Sequence, residues 1–420
     1  MIRSSNLYYR NGLNSGKKAR LNAFIAAYRY AAQTYVDYLW DKGFCCKGKR
    51  FSVKEDLLNV PPFLWKGEYP EFDTQLSARA LKCCLNQVLG IIKGATEKRR
   101  RNLWIKSQRE SKSQPLYKKL VVELAQPLVK PFVGKINPEL NSSCADFQEA
   151  DGKFDGFLQL KYIGKAFGKI KIPIKFHRQL LKWKTGRLCQ SFMFTDNYIS
   201  FRFESSPKKK KAGKVVGADS GLKTVLTLSN SDRTPKQDRH GHSLESIIGK
   251  VARKKKGSKN FRKAAKHREN FIHWSINRLN LAGIRQINLE NVVNINLGKR
   301  ANRKMQAWTY GVIRDKVVSL AEEQGVLVVL QDSPFKSQRC SKCGMVRKSN
   351  RKGEVYSCNS CGNAMNADLN AAINNSLDLP KIPYDLCKGR KNLKGFFWNL
   401  SGFSFPGTEF TVPTSERKEE

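Results

Sequence analysis

Two cysteine pairs constrain this chain more than any other feature. Cys340 and Cys343 form one C-x2-C knuckle, Cys358 and Cys361 form a second, Gly344 and Gly362 follow directly, and fourteen residues separate the pairs. That spacing is close to a zinc ribbon's. Four thiolates complete a tetrahedral zinc site and leave no open position for water, so the zinc they predict is structural rather than catalytic. The alternative is four unrelated reduced thiols, and two glycine-flanked knuckles at this separation argue against it. Any chemistry must then come from neighbouring residues. Asp368, seven residues past Cys361 and near the start of a predicted helix, is the candidate.

Composition bounds the partner. A chain of 420 residues has room for two or three cores. Its 78 Lys plus Arg against 35 Asp plus Glu give a formal charge of +43, dispersed along the chain and interleaved with aromatics. This points to nucleic acid rather than a membrane surface, with affinity that falls steeply as salt rises. A merely solvated basic surface would account for the charge but not for the carboxylates below. No apolar run reaches eighteen residues and the first residues lack a signal-peptide core, so the expectation is a soluble, cytoplasmic, nucleoid-associated protein with no membrane partner. Cys45, Cys46, Cys83, Cys84, Cys144, Cys189 and Cys387 show no metal spacing and read as reduced packing residues.

Along the chain, Leu21, Ile25, Tyr28, Ala32, Tyr35 and Leu39 predict one face of a helix over 17–42, stopped at Gly43. Leu81, Leu85, Val88 and Ile92 predict a second over 77–95, ending in the run Lys98-Arg99-Arg100-Arg101, a candidate for phosphate contact. Ser77, Arg79, Lys82 and Gln87 lie on this helix and are weak candidates for entering a duplex groove, since such residues are more often solvated. Pro61, Pro62 and Pro70 mark irregular chain between the helices. Residues 154–203 alternate in short stretches, with a hairpin at Thr195-Asp196-Asn197-Tyr198, and predict a small sheet or barrel. A basic linker over 206–214 leads into a new domain.

Residues 215–229 read as strand, tight turn and strand, with Asp219 where the first strand gives way to the turn. A basic helix over 259–280 follows, carrying Phe261, Ala265, Ile272, Ile276 and Leu279 on its apolar face. Residues 283–293 read as a strand with Glu290 near its end. A helix over 302–324 carries Met305, Trp308, Val312, Val317 and Leu320, and a short apolar strand over 326–330 precedes the cysteines. Strands and helices in this order predict a mixed α/β layer. Asp219, Glu290 and Asp368 each sit at a strand end or in a first helical turn within this region. Three adjacent ionised carboxylates repel one another unless cations intervene. Oxygen donors select magnesium or manganese, and a two-metal clamp serves phosphodiester cleavage.

Gly217-Ala218-Asp219-Ser220-Gly221, the strand-terminal Glu290, and the paired C-x2-C followed by Asn366-Ala367-Asp368-Leu369-Asn370-Ala371-Ala372 resemble the three RuvC motifs and zinc ribbon of the TnpB family. These are transposon-encoded RNA-guided nucleases similar to the compact type V CRISPR effectors. The specific resemblance spans about 215–375, with Trp308 and Ser337-Gln338 included; before residue 214 it is architectural. It implies an α/β multidomain chain: a wedge-type β-barrel over 1–16 and 116–206, a helical recognition lobe over 17–115, an RNase H-like RuvC domain over 215–337 and 363–376, the ribbon over 338–362, and a tail over 377–420. It implies Asp219, Glu290 and Asp368 as magnesium ligands and catalytic residues, a guide RNA, and double-stranded target DNA carrying a short flanking motif. Arg351 resembles a position that approaches the scissile phosphate; contact with backbone elsewhere is the alternative.

Two residues depart from the family pattern. Ala218 replaces a bulkier apolar residue, and Asn375 stands where an apolar residue is usual. The tail could add a strand, contact RNA or lack order. An RNA-guided DNA endonuclease is the leading expectation, cutting both strands in succession at one site. An RNA-guided repressor that does not cut and an RNA-independent structure-specific nuclease are the alternatives. The guide, the flanking motif and the oligomeric state are not legible.

Overall fold

Ser15–Asp41 form helix α1, whose seven-residue stripe from Leu21 through Phe24, Ile25, Tyr28, Ala32 and Tyr35 to Leu39 is buried throughout. The computed structural model describes residues 1–9, 13–41, 74–127, 129–292, 309–332, 334–382, 395–406 and 408–412. Expectations for Gly43, Cys45, Cys46, the three prolines, Met305, Trp308 and Cys387 lie outside them. The chain divides into two compact units, Met1–Ser206 and Pro207–Glu420.

In the first unit, helix α2 (Ala78–Glu110) is capped by Ser77, whose side chain accepts from the Ala80 amide. It does not stop near Ala95. Lys and Arg are good helix formers, Glu97–Arg100 and Lys106–Glu110 pair at helical spacing, and nothing breaks the run. The basic run is therefore mid-helix, and part of it is occupied. Arg99 donates to the carbonyls of Glu123 and Gln126, and Lys98 pairs with Glu123, which together hold helix α3 (Lys118–Ala125) against α2. Gln87 is likewise structural, accepting from the Tyr28 hydroxyl and the Glu139 amide, and the Arg79 guanidinium lies 4.4 Å from the Tyr162 ring centroid.

Two antiparallel sheets complete this unit. Strands β1 (Ile2–Tyr8), β2 (Glu139–Asn141), β6 (Arg187–Leu188), β7 (Ser191–Phe194) and β8 (Tyr198–Glu204) form one, ordered β1-β8-β7-β2 with β6 against β8. Strands β3 (Ala145–Glu149), β4 (Gly156–Leu160) and β5 (Ile170–Ile174) form the other, and helix α4 (Arg178–Trp183) follows them. Phe147 meets Phe201 edge to face at 5.4 Å across the sheets, and α1 and α2 share the same core. The hairpin predicted at Thr195 forms, with its hydroxyl accepting from the Asn197 and Tyr198 amides.

The second unit is built on a four-stranded sheet ordered β10-β9-β11-β12, from β9 (Lys214–Asp219), β10 (Thr227–Leu228), β11 (Ile284–Glu290) and β12 (Leu327–Gln331). Strand β10 runs antiparallel to β9, and β9, β11 and β12 are parallel. Helices α5 (Leu244–Ala252), α6 (Lys259–Ile276) and α7 (Tyr310–Glu323) supply Ile247, Ile272 and Ile313 to a core with Val216, Ala218, Ile287 and Leu289. Although its sequence is almost wholly apolar, β12 is an edge strand, and Leu327 and Leu330 are exposed.

The cysteine region carries strands β13 (Met345–Val346), β14 (Arg351–Lys352), β15 (Val355–Ser357) and β16 (Ala364–Asn366), the last three forming one antiparallel sheet. Helix α8 (Ala367–Ser376) follows directly. The tail does add strands: β17 (Phe396–Asn399), β18 (Gly402–Phe405) and β19 (Thr408–Val412) extend a sheet begun by β13, with Val346 opposite the fully buried Phe396. Among the described residues no helix is long and apolar enough to cross a membrane.

Candidate functional site

Parallel pairing brings the first two carboxylates together. Ala218 is in register with Leu289, so Asp219 and Glu290 are the next residues on adjacent strands, at the same sheet end. Asp368 reaches them because α8 packs on β9 over a glycine. A Cβ at Gly217 would lie 2.0 Å from the Ala372 carbonyl oxygen and 2.2 Å from the Ser376 amide, so only glycine permits this approach. Asn366 caps α8 by accepting from the Leu369 amide, which puts Asp368 in the first turn at the positive end of the helix. The turn after Asp219 closes on the same point, since a Cβ at Gly221 would come 3.7 Å from Asp368 Oδ2.

The electrostatics follow from burial. Asp219 is 7% exposed, and burial, then the charges of Glu290 and Asp368, push its carboxyl well above the usual range, with Arg351 opposing. Burial also raises Glu290, against a hydrogen bond from Asn375 and the charges of Lys336 and Arg351. Lys336, 3% exposed, is pushed down to about 8 by burial, against the attraction of Glu290. Arg351, on β14, donates to Asp368 Oδ1 at 3.1 Å and to the Gly353 carbonyl. Lys223, in the turn after Asp219, pairs with Glu354 at 2.6 Å, which fastens the β14–β15 turn beside the site.

The cysteines fit zinc. Among the described residues Cys340, Cys343, Cys358 and Cys361 have all four sulfurs within 4.8 Å of one another, with Cys340–Cys361 at 3.6 Å and Cys343–Cys358 at 3.7 Å. Thiolates about 2.3 Å from a tetrahedral zinc lie about 3.8 Å apart. Gly344 and Gly362 adopt φ of 82° and 70°, closing each knuckle with an amide donated back to Cys340 or Cys358. The carboxylate array is more open than this cluster, and its all-oxygen, mutually repelling donors fit hard divalent cations such as magnesium.

Several residues that join the two sites had no sequence signal as single positions. Arg339, 4% exposed, donates to the carbonyls of Trp398 and Cys340 and to the side chains of Asn374 and Asn399. Asn370 donates to the Arg339 carbonyl and accepts from the Ser341 amide. Asn374 donates to the carbonyls of Lys336 and Arg339. Asn375, which departs from the family pattern, donates to the Ala218 carbonyl at 2.9 Å beside Asp219. Asn370 and Asn374 stand four apart on one helical face, a spacing present in the sequence, and once buried such amides must have partners.

A parallel-centred sheet with two carboxylates at one end, a third delivered by the last helix and a four-cysteine module inserted before that helix defines an α/β protein. Comparison with known proteins makes this more specific. Residues 310–375 match the Cas12f1-like TNB domain. Over 146 residues, 34% of this chain and 33% of the relative, it is 34% identical to the CRISPR-associated endodeoxyribonuclease Cas12f1 of Sulfoacidibacillus thermotolerans. Over 85 residues, 18% of this chain and 26% of the relative, it is 34% identical to TnpB-like protein aq_aa05 of Aquifex aeolicus. The aligned regions thus span about a third or less of these relatives. In fold it is similar to the Cas12f1–sgRNA–target DNA complex, with a TM-score of 0.51 and 15% identity covering 86% of this chain and 82% of that one. It is also similar to CasPhi-2 (Cas12j) bound to crRNA, with a TM-score of 0.51 and 12% identity over 91% of this chain and 99% of that one. In sequence the likeness is thus to Cas12f1 and TnpB-like proteins over part of the chain, and in fold to Cas12f1 and CasPhi-2.

Proposed function

We propose that this chain is an RNA-guided DNA endonuclease that cleaves target DNA at the Asp219–Glu290–Asp368 site. The observation that carries the reading is the convergence of three carboxylates, one of them, Asp219, pushed toward its neutral form by burial and then by the charges of the other two. A fold gains nothing from such a cluster unless cations are meant to enter it. The DNA-cleaving activity named for the Cas12f1 relative and the guide RNA and target DNA in the similar complex support the same reading.

In this reading Asp219, Glu290 and Asp368 hold magnesium, which when bound activates water and stabilises the departing oxygen. Glu290 is oriented by Asn375, and Lys336 offsets its charge. Arg351, which donates to Asp368 Oδ1 at 3.1 Å, is the guanidinium that would bind the scissile phosphate beside the carboxylates. The four cysteines hold structural zinc, and the ribbon bearing them positions Arg351. The two sheets of the first unit form the wedge, α1 and α2 belong to the recognition lobe, and guide pairing reads the target sequence while side chains read a short flanking motif. Three filled acidic positions argue against a repressor that only binds.

The test is a digestion. Protein purified with its own RNA, whose sequence identifies the guide, is given magnesium and a plasmid carrying the matching target. Cleavage that vanishes in Asp219→Asn while the complex still binds target supports the proposal. Cutting preserved in that variant, or preserved after the RNA is removed, overturns it.

A further inference from the structure

The turn that precedes α5 builds a second group of metal donors, well apart in sequence from both sites above. Asp238, His242 and His267 each offer a ligand atom, and all three atoms lie within 4.8 Å of one another. Asp238 and His242 belong to the turn, while His267 projects from α6. We propose that these three residues form a binding site for a late first-row divalent ion of the zinc class, which ties the turn over 238–242 to the basic helix α6.

The carboxylate is set in place before any ion arrives. Asp238 Oδ1 accepts the amides of His240 and His242 at 2.8 and 2.9 Å, and Gly241, at φ 75°, closes the turn. This leaves Oδ2 facing His242 Nδ1 at 3.2 Å. Ligands about 2.0–2.1 Å from a tetrahedral ion stand about 3.3 Å apart, so this pair already has the required separation. The His242 and His267 rings meet at 5.0 Å between centroids and 88° between planes, and the His267 ligand nitrogen lies within 4.8 Å of the other two ligand atoms. The turn is further fixed by Ser243, which caps α5 in a reciprocal capping box with Ser246. A carboxylate oriented by backbone amides beside two imidazoles is the arrangement in which outer hydrogen bonds pre-position metal ligands.

Lys250 lies close enough to His267 to oppose positive charge there. A hard cation, held by charge alone, gains little beside it. Zinc, cobalt or nickel bonds to imidazole nitrogen directly and tolerates that repulsion. The consequence is mechanical, because α6 carries Lys259, Arg262, Lys263 and Lys266, and a bound ion fixes this charged face to the loop in front of it.

Cobalt titration of the full-length protein tests the site. An Asp219→Asn background with excess magnesium removes the carboxylate centre from the count. The four thiolates give intense near-ultraviolet charge-transfer absorption, whereas an aspartate–histidine site adds visible bands without it. We expect a second equivalent of cobalt, displaced by zinc, that His242→Gln and His267→Gln each weaken about 10-fold or more. Retention of the thiolate band shows that the variants remain folded. Should a histidine variant lose that band, Asp238→Asn decides: loss of the second equivalent alone supports the site and its retention overturns it. Saturation at the thiolate band alone in the parent protein, or a second equivalent that survives every substitution, also overturns it.

Discussion

Asp219 combines near-complete burial with two like-charged neighbours, and Arg351 is the cation that opposes them. Its folded carboxyl is raised, so between the ordinary carboxylate range and that raised value the folded protein binds more protons than the unfolded chain. Stability is therefore fullest below the unfolded value and falls as pH rises through the window. In magnesium-free buffer Asp219→Asn should melt higher than the parent at neutral pH, with the gain shrinking as pH is lowered; no chelator is added, so zinc stays. Magnesium should raise the parent's melting temperature and leave the variant's nearly unchanged. Arg351→Ala should slow target cleavage about 100- to 1,000-fold with target binding retained, as for loss of one donor to transition-state charge. A cleavage time course at saturating magnesium checks it, and an unchanged rate assigns Arg351 to structure only.

At the scale of elements, the site exists because α8 lies on β9. Gly217→Ala puts a methyl group into the Ala372 carbonyl, and backbone cannot yield there as a flexible side chain would. We expect a loss of roughly 1–3 kcal/mol, read by denaturant unfolding, with cleavage reduced as Asp368 moves away. The ribbon and α8 share hydrogen bonds through Asn370, Asn374 and the Ala367 amide, which donates to the Glu354 carbonyl. Cys358→Ser should therefore release zinc and impair cutting together. Metal content and cleavage measured on one preparation check this, and full cleavage without zinc would make the ribbon a separate appendage. The docked tail adds a consequence: Trp398 accepts from Arg339 and donates its own amide to Gly344. Truncation before Phe396 should strip partners from a buried arginine and lower the ribbon's zinc affinity.

For the whole molecule, a charge of +43 over two units makes binding a matter of counterion release. Affinity for RNA should fall about a thousand-fold or more between roughly 50 and 200 mM salt, measured by filter binding, and a flat salt profile would contradict a phosphate-dominated interface. Basic residues do not contribute equally. Lys98, Arg99 and Arg100 have partners within the fold, so alanine there should cost stability as well as affinity, whereas the exposed Lys254, Lys255 and Lys256 should cost affinity alone.

Features that repeat at short range are legible in the residues alone. The buried stripe of α1, the hairpin at Thr195, the two knuckles and the three acids at element ends are all local patterns whose period or spacing carries the physics. What depends on partners distant in sequence is not legible there. The apolar β12 lies at a sheet edge, the basic run continues α2 and braces α3, and the tail pairs with the ribbon, because neighbours supplied by the tertiary fold decide each outcome. Asn375 shows the difference most plainly. As a sequence feature it is a departure from the family pattern; in the structure its amide joins α8 to the strand end beside Asp219, a role set by a residue 157 positions away.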